Sequence, residues 1–348
     1  MTVSRETFEA WRAPRFGSEN PTRMDNPLWA SLVHERLSAY EVNERHGGAQ
    51  RRGPTWCFLR FGQTATPLDD GRTLYLAGEH EDSYDPDFYI YNDVVIVAPD
   101  GAVAIYGYPR AVFPPTDFHT ATRAGDQLWI VGSLGYADAR AVGTTQVCCL
   151  DLTTLAIAPV ATTGQGPGWI HKHAAELAGG AIVVRGGLVE TGAALDENID
   201  DWALDLATRT WTRRTTRDWQ RWAVRRADGG RSHLWELRQM KWVADHPHLE
   251  SSDTFRDGVV AALRGEPDLA LIDTLYRAEG AHAIEQRDDE YNVWRVELDG
   301  VIVRFTEEPH RIAAMVEGRL AAPRLDALQA HVVAQLSALH FTAWEVEP

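Results

Sequence analysis

The chain has 348 residues, 44% hydrophobic and 24% charged, proportions that suit a globular protein with a sizeable core. Its formal net charge of −16 excludes DNA or RNA as a general partner, because phosphate binding needs a basic footprint. No apolar run approaches the ~18 residues that span a bilayer, and residues 1–6 carry no apolar signal core, so no membrane partner is expected and the expected location is cytoplasmic.

In chain order, residues 1–53 read as a helical and irregular leader. Asn26 and Pro27 have the chemistry of a helix cap and first helical position. Leu28, Leu32, Val33 and Leu37 continue a helical stripe to about Tyr40. The stretch from there to Pro54 is polar and glycine-containing.

Residues 54–216 contain a repeat. Leu74-Tyr75-Leu76-Ala77-Gly78, Leu128-Trp129-Ile130-Val131-Gly132 and Ile182-Val183-Val184-Arg185-Gly186-Gly187 align with a step of 54 residues between Gly78, Gly132 and Gly186 (132 − 78 and 186 − 132). Ile96-Val97, Leu150-Asp151 and Leu204-Asp205 keep the same step. Gln63-Thr64, His119-Thr120 and His173-Ala174 precede the three apolar runs. Turn residues such as Asp69-Asp70-Gly71 and Ala178-Gly179-Gly180 divide each unit into short β-rich runs, the pattern of a four-stranded meander. Cys57, Cys148 and Cys149 fit neither a disulfide framework nor a zinc site and read as small buried hydrophobes.

A repeat near fifty residues with these features resembles kelch-type propeller blades, as found in the galactose oxidase class. The third unit carries the likeness best: Val183-Val184-Arg185-Gly186-Gly187, then Trp202 through Leu206 and the closing Trp211. The first and second units depart from it at Glu79, at Asn92-Asp93 and at Ser133. The fold expected is therefore mostly β, a kelch-like β-propeller with three recognisable blades, helical flanks and a small C-terminal α+β domain. Three blades fall short of the 4–8 that close a ring.

Residues 217–266 read as a helical connector, with helices over 232–244 and 253–263. Arginines from Arg209 to Arg231, interleaved with Trp211, Trp219 and Trp222, are expected to pack against acidic parts of the same chain. Residues 267–348 read as a small α+β domain: a helix over 268–276, a hairpin of 292–296 and 301–305 across Asp299-Gly300, a strand at 312–316, a helix opened by Pro323 and a last strand over 341–346.

In a meander the b–c loops and d–a connections leave at one end. That end would hold Glu79, His80, Glu81 and Asp82 of the first b–c loop. It would also hold Asp117, His119, His171 and His173 of the d–a connections. Imidazole and carboxylate together suit a divalent transition metal or acid–base work. His171 and His173 are two apart, which on a strand is one face. Arg185 is the internal candidate to compensate the carboxylates. The resemblance implies a binding module that offers this face to a protein or small-molecule ligand. The alternative it implies is a metal-dependent enzyme on the same face, a specifier-protein-like lyase or an oxidase. It also implies that histidines at the positions of His119 and His173 serve the blade structure. No catalytic motif stands out, and the sequence does not fix an oligomeric state.

Overall fold

A computed structural model describes residues 4–46, 53–80, 88–192, 195–246, 248, 253–285 and 292–347. The chain is mostly β, with 32% strand and 23% helix, and divides into two units, Met1–Thr216 and Arg217–Pro348.

The first unit opens with α1 (Arg5–Trp11), β1 (Thr22–Arg23), α2 (Pro27–Glu35) and α3 (Ala39–His46). Asn26 caps α2 as expected: its Oδ1 accepts from the Leu28 and Trp29 N–H groups at 3.0 and 3.2 Å. β2 (Thr64–Pro67), β3 (Thr73–Leu76), a small ladder of β4 (Glu79–His80) with β5 (Tyr89–Ile90), β6 (Val94–Val97) and β7 (Val103–Gly107) follow. β2-β3-β6-β7 is an antiparallel meander, and β1 adds to its outer edge on β7. The second meander is β8 (Thr120–Ala124), β9 (Gln127–Val131), β10 (Val147–Asp151) and β11 (Ile157–Pro159). Next come β12 (Trp169–His171), β13 (Ala174–Ala178), β14 (Ala181–Arg185), β15 (Leu188–Glu190), β16 (Leu195–Glu197), β17 (Trp202–Asp205) and β18 (Thr210–Arg213). Of these, β13-β14-β17-β18 is the third meander and β12-β15-β16 a separate small sheet. No closed barrel or propeller forms among the described residues.

Period-two alternation stacks the three meanders. Leu74, Leu76, Val94 and Ile96 of the first share a core with Leu128, Ile130, Cys148 and Leu150 of the second. The second sheet's other face, Trp129, Val131 and Val147, packs on Ile182, Val184, Trp202 and Leu204 of the third. The first sheet's remaining face, with Tyr75, Val95 and Ile105, is covered by Trp29, Leu32, Val33 and Val42 of the leading helices. The segment read as a leader thus seals one end of the stack. Each fully buried Leu or Val here contributes about 1.5–3 kcal/mol.

The stack corrects the alignment of the first repeat by one residue. The N–H of Ala77 bonds the Asp93 carbonyl across its sheet as the N–H of Gly132 bonds Gln146, so Ala77 matches Gly132 and Gly186. Ala77 accordingly has a left-handed φ of +53°, beside +75° and +61° for the two glycines. Gly78 corresponds to Ser133 and Gly187. A one-residue slip exchanges the two faces of a strand, and the 54-residue glycine step concealed one.

The second unit holds β19 (Gln220–Arg226), α4 (Leu234–Asp245), α5 (Asp253–Leu263), α6 (Leu271–Thr274), β20 (His282–Ile284), β21 (Val293–Leu298), β22 (Val301–Glu307), β23 (Arg311–Val316), α7 (Ala322–His340) and β24 (Trp344–Val346). Its sheet has the order β20-β21-β22-β23-β19-β24. The expected hairpin is present, with Asp299 and Gly300 at φ +52° and +79°. The span read as a connector, 217–266, contributes the inner strand β19 and two core helices: Val224, Leu234, Leu237, Met240, Val259 and Leu263 share one core with Val303, Phe305, Leu328 and Leu336. No described helix is long and apolar enough to cross a membrane.

Candidate functional site

The site expected at the loop end of the first unit is organised by a ladder between neighbouring meanders. Gly62, Phe118 and Lys172, each just before a first strand, adopt left-handed φ values of +60°, +46° and +55°. The Lys172 N–H donates to the Phe118 carbonyl (2.8 Å), and the Phe118 N–H to that of Gly62 (3.0 Å). Side chains repeat the link: Thr64 Oγ1 lies 2.9 Å from His119 Nε2, and Thr120 Oγ1 2.9 Å from His173 Nε2. Burial pushes both imidazoles down, His119 to about 3 and His173 to about 4. They are neutral bracing groups. The sequence signal for them was a histidine recurring 54 residues apart, His119 and His173, each just ahead of an apolar run.

The residue before each rung differs in chemistry: Phe61, Asp117 and His171. Asp117 is completely buried. Its Oδ1 accepts from the Gly135 N–H (2.7 Å) and the Ser133 hydroxyl (3.2 Å), while its Oδ2 has no partner among the described residues. His171 is 1% exposed, and neither ring nitrogen has a partner there. Burial, with the nearby charges of Lys172 and Arg140, lowers His171 to about 4. Arg140 donates to the Leu134 carbonyl (3.0 Å) and pairs with Glu190 at 3.1 Å. Tyr136 Oη accepts from the Ile90 N–H at 3.0 Å, tying the first meander's b–c loop to the second's. Orphaned buried polar atoms are costly and normally find a partner. At this end the chain holds a buried carboxylate oxygen without a donor among the described residues and a buried imidazole able both to donate and to accept.

The expected site residues therefore separate. Asp117 Oδ2 and both His171 ring nitrogens lack partners among the described residues, whereas His119 and His173 are each bonded between meanders through Nε2, with only Nδ1 left unpartnered there. His171 and His173 do not share a strand face: left-handed Lys172 stands between them, and they border strands of different sheets. Glu79 and His80 are buried in the β4–β5 ladder, where His80 Nδ1 lies 2.8 Å from Tyr91 Oη. Glu81 and Asp82 lie outside the described residues. Among the described residues no group of three or more His, Cys, Asp or Glu side chains is placed to hold a metal ion. Arg185 pairs instead with Glu176 (2.6 Å) and Asp201 (3.3 Å), and the cations near His171 are Lys172 and Arg140.

One arrangement gave no sequence signal. Arg60, its side chain fully buried, forks onto Asp93 at 2.5 and 3.0 Å, lies 3.3 Å from the Tyr91 ring centroid and donates to the Ala77 carbonyl at 3.0 Å. Trp56 Nε1 donates to Asp93 Oδ2 at 2.8 Å. Asn92-Asp93, a departure from the blade pattern, is where this pair is anchored.

In comparisons with known proteins, the chain matches no family model and no curated sequence.

Proposed function

We propose that the chain is a binding module of the kelch-propeller type, an open stack of three blades capped by its leading helices. It receives a protein or small-molecule ligand at the end where b–c loops and d–a connections meet. The stacked meanders and the repeated inter-blade ladder support the blade reading. The observation that carries the binding reading is the pair of buried side chains with unfilled hydrogen-bonding capacity, Asp117 Oδ2 and both nitrogens of His171. A ligand offering a donor to Asp117 and either polarity to His171 would complete the set. Arg140 and Glu190 would add a charge of each sign, and Tyr136 an aromatic wall.

His171→Phe tests this. Replacing an unpartnered buried imidazole by an apolar ring of similar size should leave the free protein as stable or slightly more so. A thermal-shift panel of monosaccharides, dicarboxylates, amino acids and divalent metals is run on wild type and on His171→Phe. A compound that raises the wild-type Tm by several degrees should lose that effect in the variant. A variant that melts far lower, with the panel responses of wild type retained, would make His171 structural and sink the reading.

A further inference from the structure

A cavity lies in the second unit, apart from the loop-end residues of the first. It is about 620 Å³ and is lined by Trp235, Arg238, Lys241, Trp242, Arg277 and Trp294, among others. That is the size of a pocket for a drug-sized ligand.

Trp235 and Trp242 lie seven residues apart on α4, two turns along one helix face. They remain 50% and 51% exposed, although a tryptophan left in water forgoes a large burial gain. Both rings are braced: Phe255 packs edge-on to Trp235 (centroids 6.4 Å, 88°), and His246 lies against Trp242 at 4.8 Å. The Arg238 guanidinium lies 3.5 Å from the centroid of Trp294, so that wall is a flat stack of planar groups. It is held there by Glu307 at 2.5 Å, which also accepts from Tyr276 Oη at 2.7 Å.

The charges decide what a flat ligand should carry. Arg238 is matched by Glu307. Lys241 engages both acids of the lining, Asp245 at 2.5 Å and Asp273 at 3.3 Å. Arg277 is exposed and has no ion pair among the described residues. The cleft thus has aromatic faces, engaged acids and, in Arg277, a cation without an ion pair among the described residues, in a chain of net charge −16. A neutral saccharide would also use the rings, but it would leave the Arg277 charge without a counter-ion.

We infer that this cleft binds a small planar aromatic anion, stacked on Trp235 and Trp242 with its carboxylate or phosphate at Arg277. Stacking contributes about 0.5–1.5 kcal/mol per aromatic pair beyond area burial, and desolvation in the cleft strengthens the charge contact.

The test is isothermal titration of the full chain with 2-naphthoate. Its controls are 2-naphthalenemethanol, which lacks the charge, cyclohexanecarboxylate, which lacks the aromatic faces, and maltotriose. Naphthoate should saturate one site, with each control at least about tenfold weaker, or 1.4 kcal/mol. Trp235→Ala and Trp242→Ala should each weaken naphthoate by about fivefold or more, and Trp242→Phe should restore most of the loss. Arg277→Gln should bring naphthoate and its alcohol to within about twofold. Trp235 and Trp242 are half exposed and Arg277 is exposed, and unchanged melting of each variant verifies its fold. Absence of saturable naphthoate binding overturns the inference, as does affinity unchanged in the variants, an alcohol as tight as the acid, or maltotriose occupying the site instead.

Discussion

The two units handle polar and aromatic residues in opposite ways. In the first, apolar residues alternate through three stacked sheets, and charged or ring-nitrogen groups sit inside the stack: Arg60, Asp93, Asp117, His119, His171 and His173. In the second, one sheet buries a single face under helices, while Trp235 and Trp242 stand half in water beside a cleft. A stack of sheets has little exposed surface between its layers, so specific chemistry there must be buried and bonded. A sheet with helices on one face leaves crevices at its edges, where aromatic side chains can remain open. Binding in the first unit would complete an unfinished hydrogen-bond set, and in the second it would fill a space.

The sharpest way to break that contrast is to remove one ion of a buried pair in each unit. Asp93→Ala strands the Arg60 guanidinium, whose side chain has no exposure, and also removes the acceptor of the Trp56 indole N–H. Such a loss costs about 3–5 kcal/mol. Glu307→Ala releases Arg238, which is 17% exposed and already borders a cleft that water can enter. Its expected cost is smaller, about 1–3 kcal/mol. Urea unfolding of the full chain, with hydrogen exchange read separately in the two units, measures both. Equal costs would mean that the first unit's interior is no drier than the second's cleft.

The sequence made the sheets legible and left much of the bonding out of sight. The pairs Leu74–Ile96, Leu128–Leu150 and Ile182–Leu204 face each other across their strands, as the common step of their markers implied. The face assignment of the first repeat was hidden, because an alanine there takes the conformation that glycine takes in the other two. β19 was missed because Arg221, Arg225 and Arg226 surround its inward Trp222 and Val224 and mask the alternation. Two of those arginines do meet acids of the chain, Arg225 with Glu345 and Arg226 with Asp228. At the loop end, acids and histidines were visible as residue types. Which were bonded depended on the left-handed rungs at Phe118 and Lys172, a backbone property that those side chains do not announce.

Acid should separate the units next. His119, His171 and His173 belong to the first, with folded values of about 3, 4 and 4, and His340, at about 4, to the second. His340 is buried, with Nε2 accepting from the His233 N–H at 3.0 Å, so it too is neutral when folded. Each folded value lies below the ordinary 6.5, so below about pH 6.5 the unfolded chain binds more protons. The stability these groups contribute is complete above that pH and is lost as pH falls toward 4. Each histidine is worth on the order of 1–3 kcal/mol across the window, and the first unit has three of them. Hydrogen exchange at pH 6.5 and 4.5 should show the first unit losing protection more steeply. His119→Gln should flatten that slope without altering the second unit's. Parallel losses in both units would remove buried histidines as the cause.

The smallest effect tests the corrected register. Gly132, Gly186 and Ala77 are placed at one position of three successive sheets, all with left-handed φ, in which a non-glycine residue costs about 1–2 kcal/mol. A Cβ at Gly132 would meet the Ile170 carbonyl oxygen at 2.3 Å and His173 Cε1 at 2.7 Å, so Gly132→Ala should cost more than the conformational term alone. A Cβ at Gly186 meets nothing within 4 Å, so Gly186→Ala should cost only that term, about 1 kcal/mol. Ala77 already carries the conformational cost, and its methyl is wholly buried. Ala77→Gly gains about 1 kcal/mol of backbone relief and loses about 0.8 kcal/mol of methyl burial, leaving a net change within about 0.5 kcal/mol. Were Gly78 the true counterpart of Gly132, Ala77 would be an ordinary strand residue. Ala77→Gly would then cost its buried methyl plus the entropy of a glycine in a strand, about 1.5 kcal/mol in all. Chemical denaturation of Ala77→Gly therefore distinguishes the two registers by the presence or absence of a loss, and a clear destabilisation would return the first repeat to the alignment its glycine suggests.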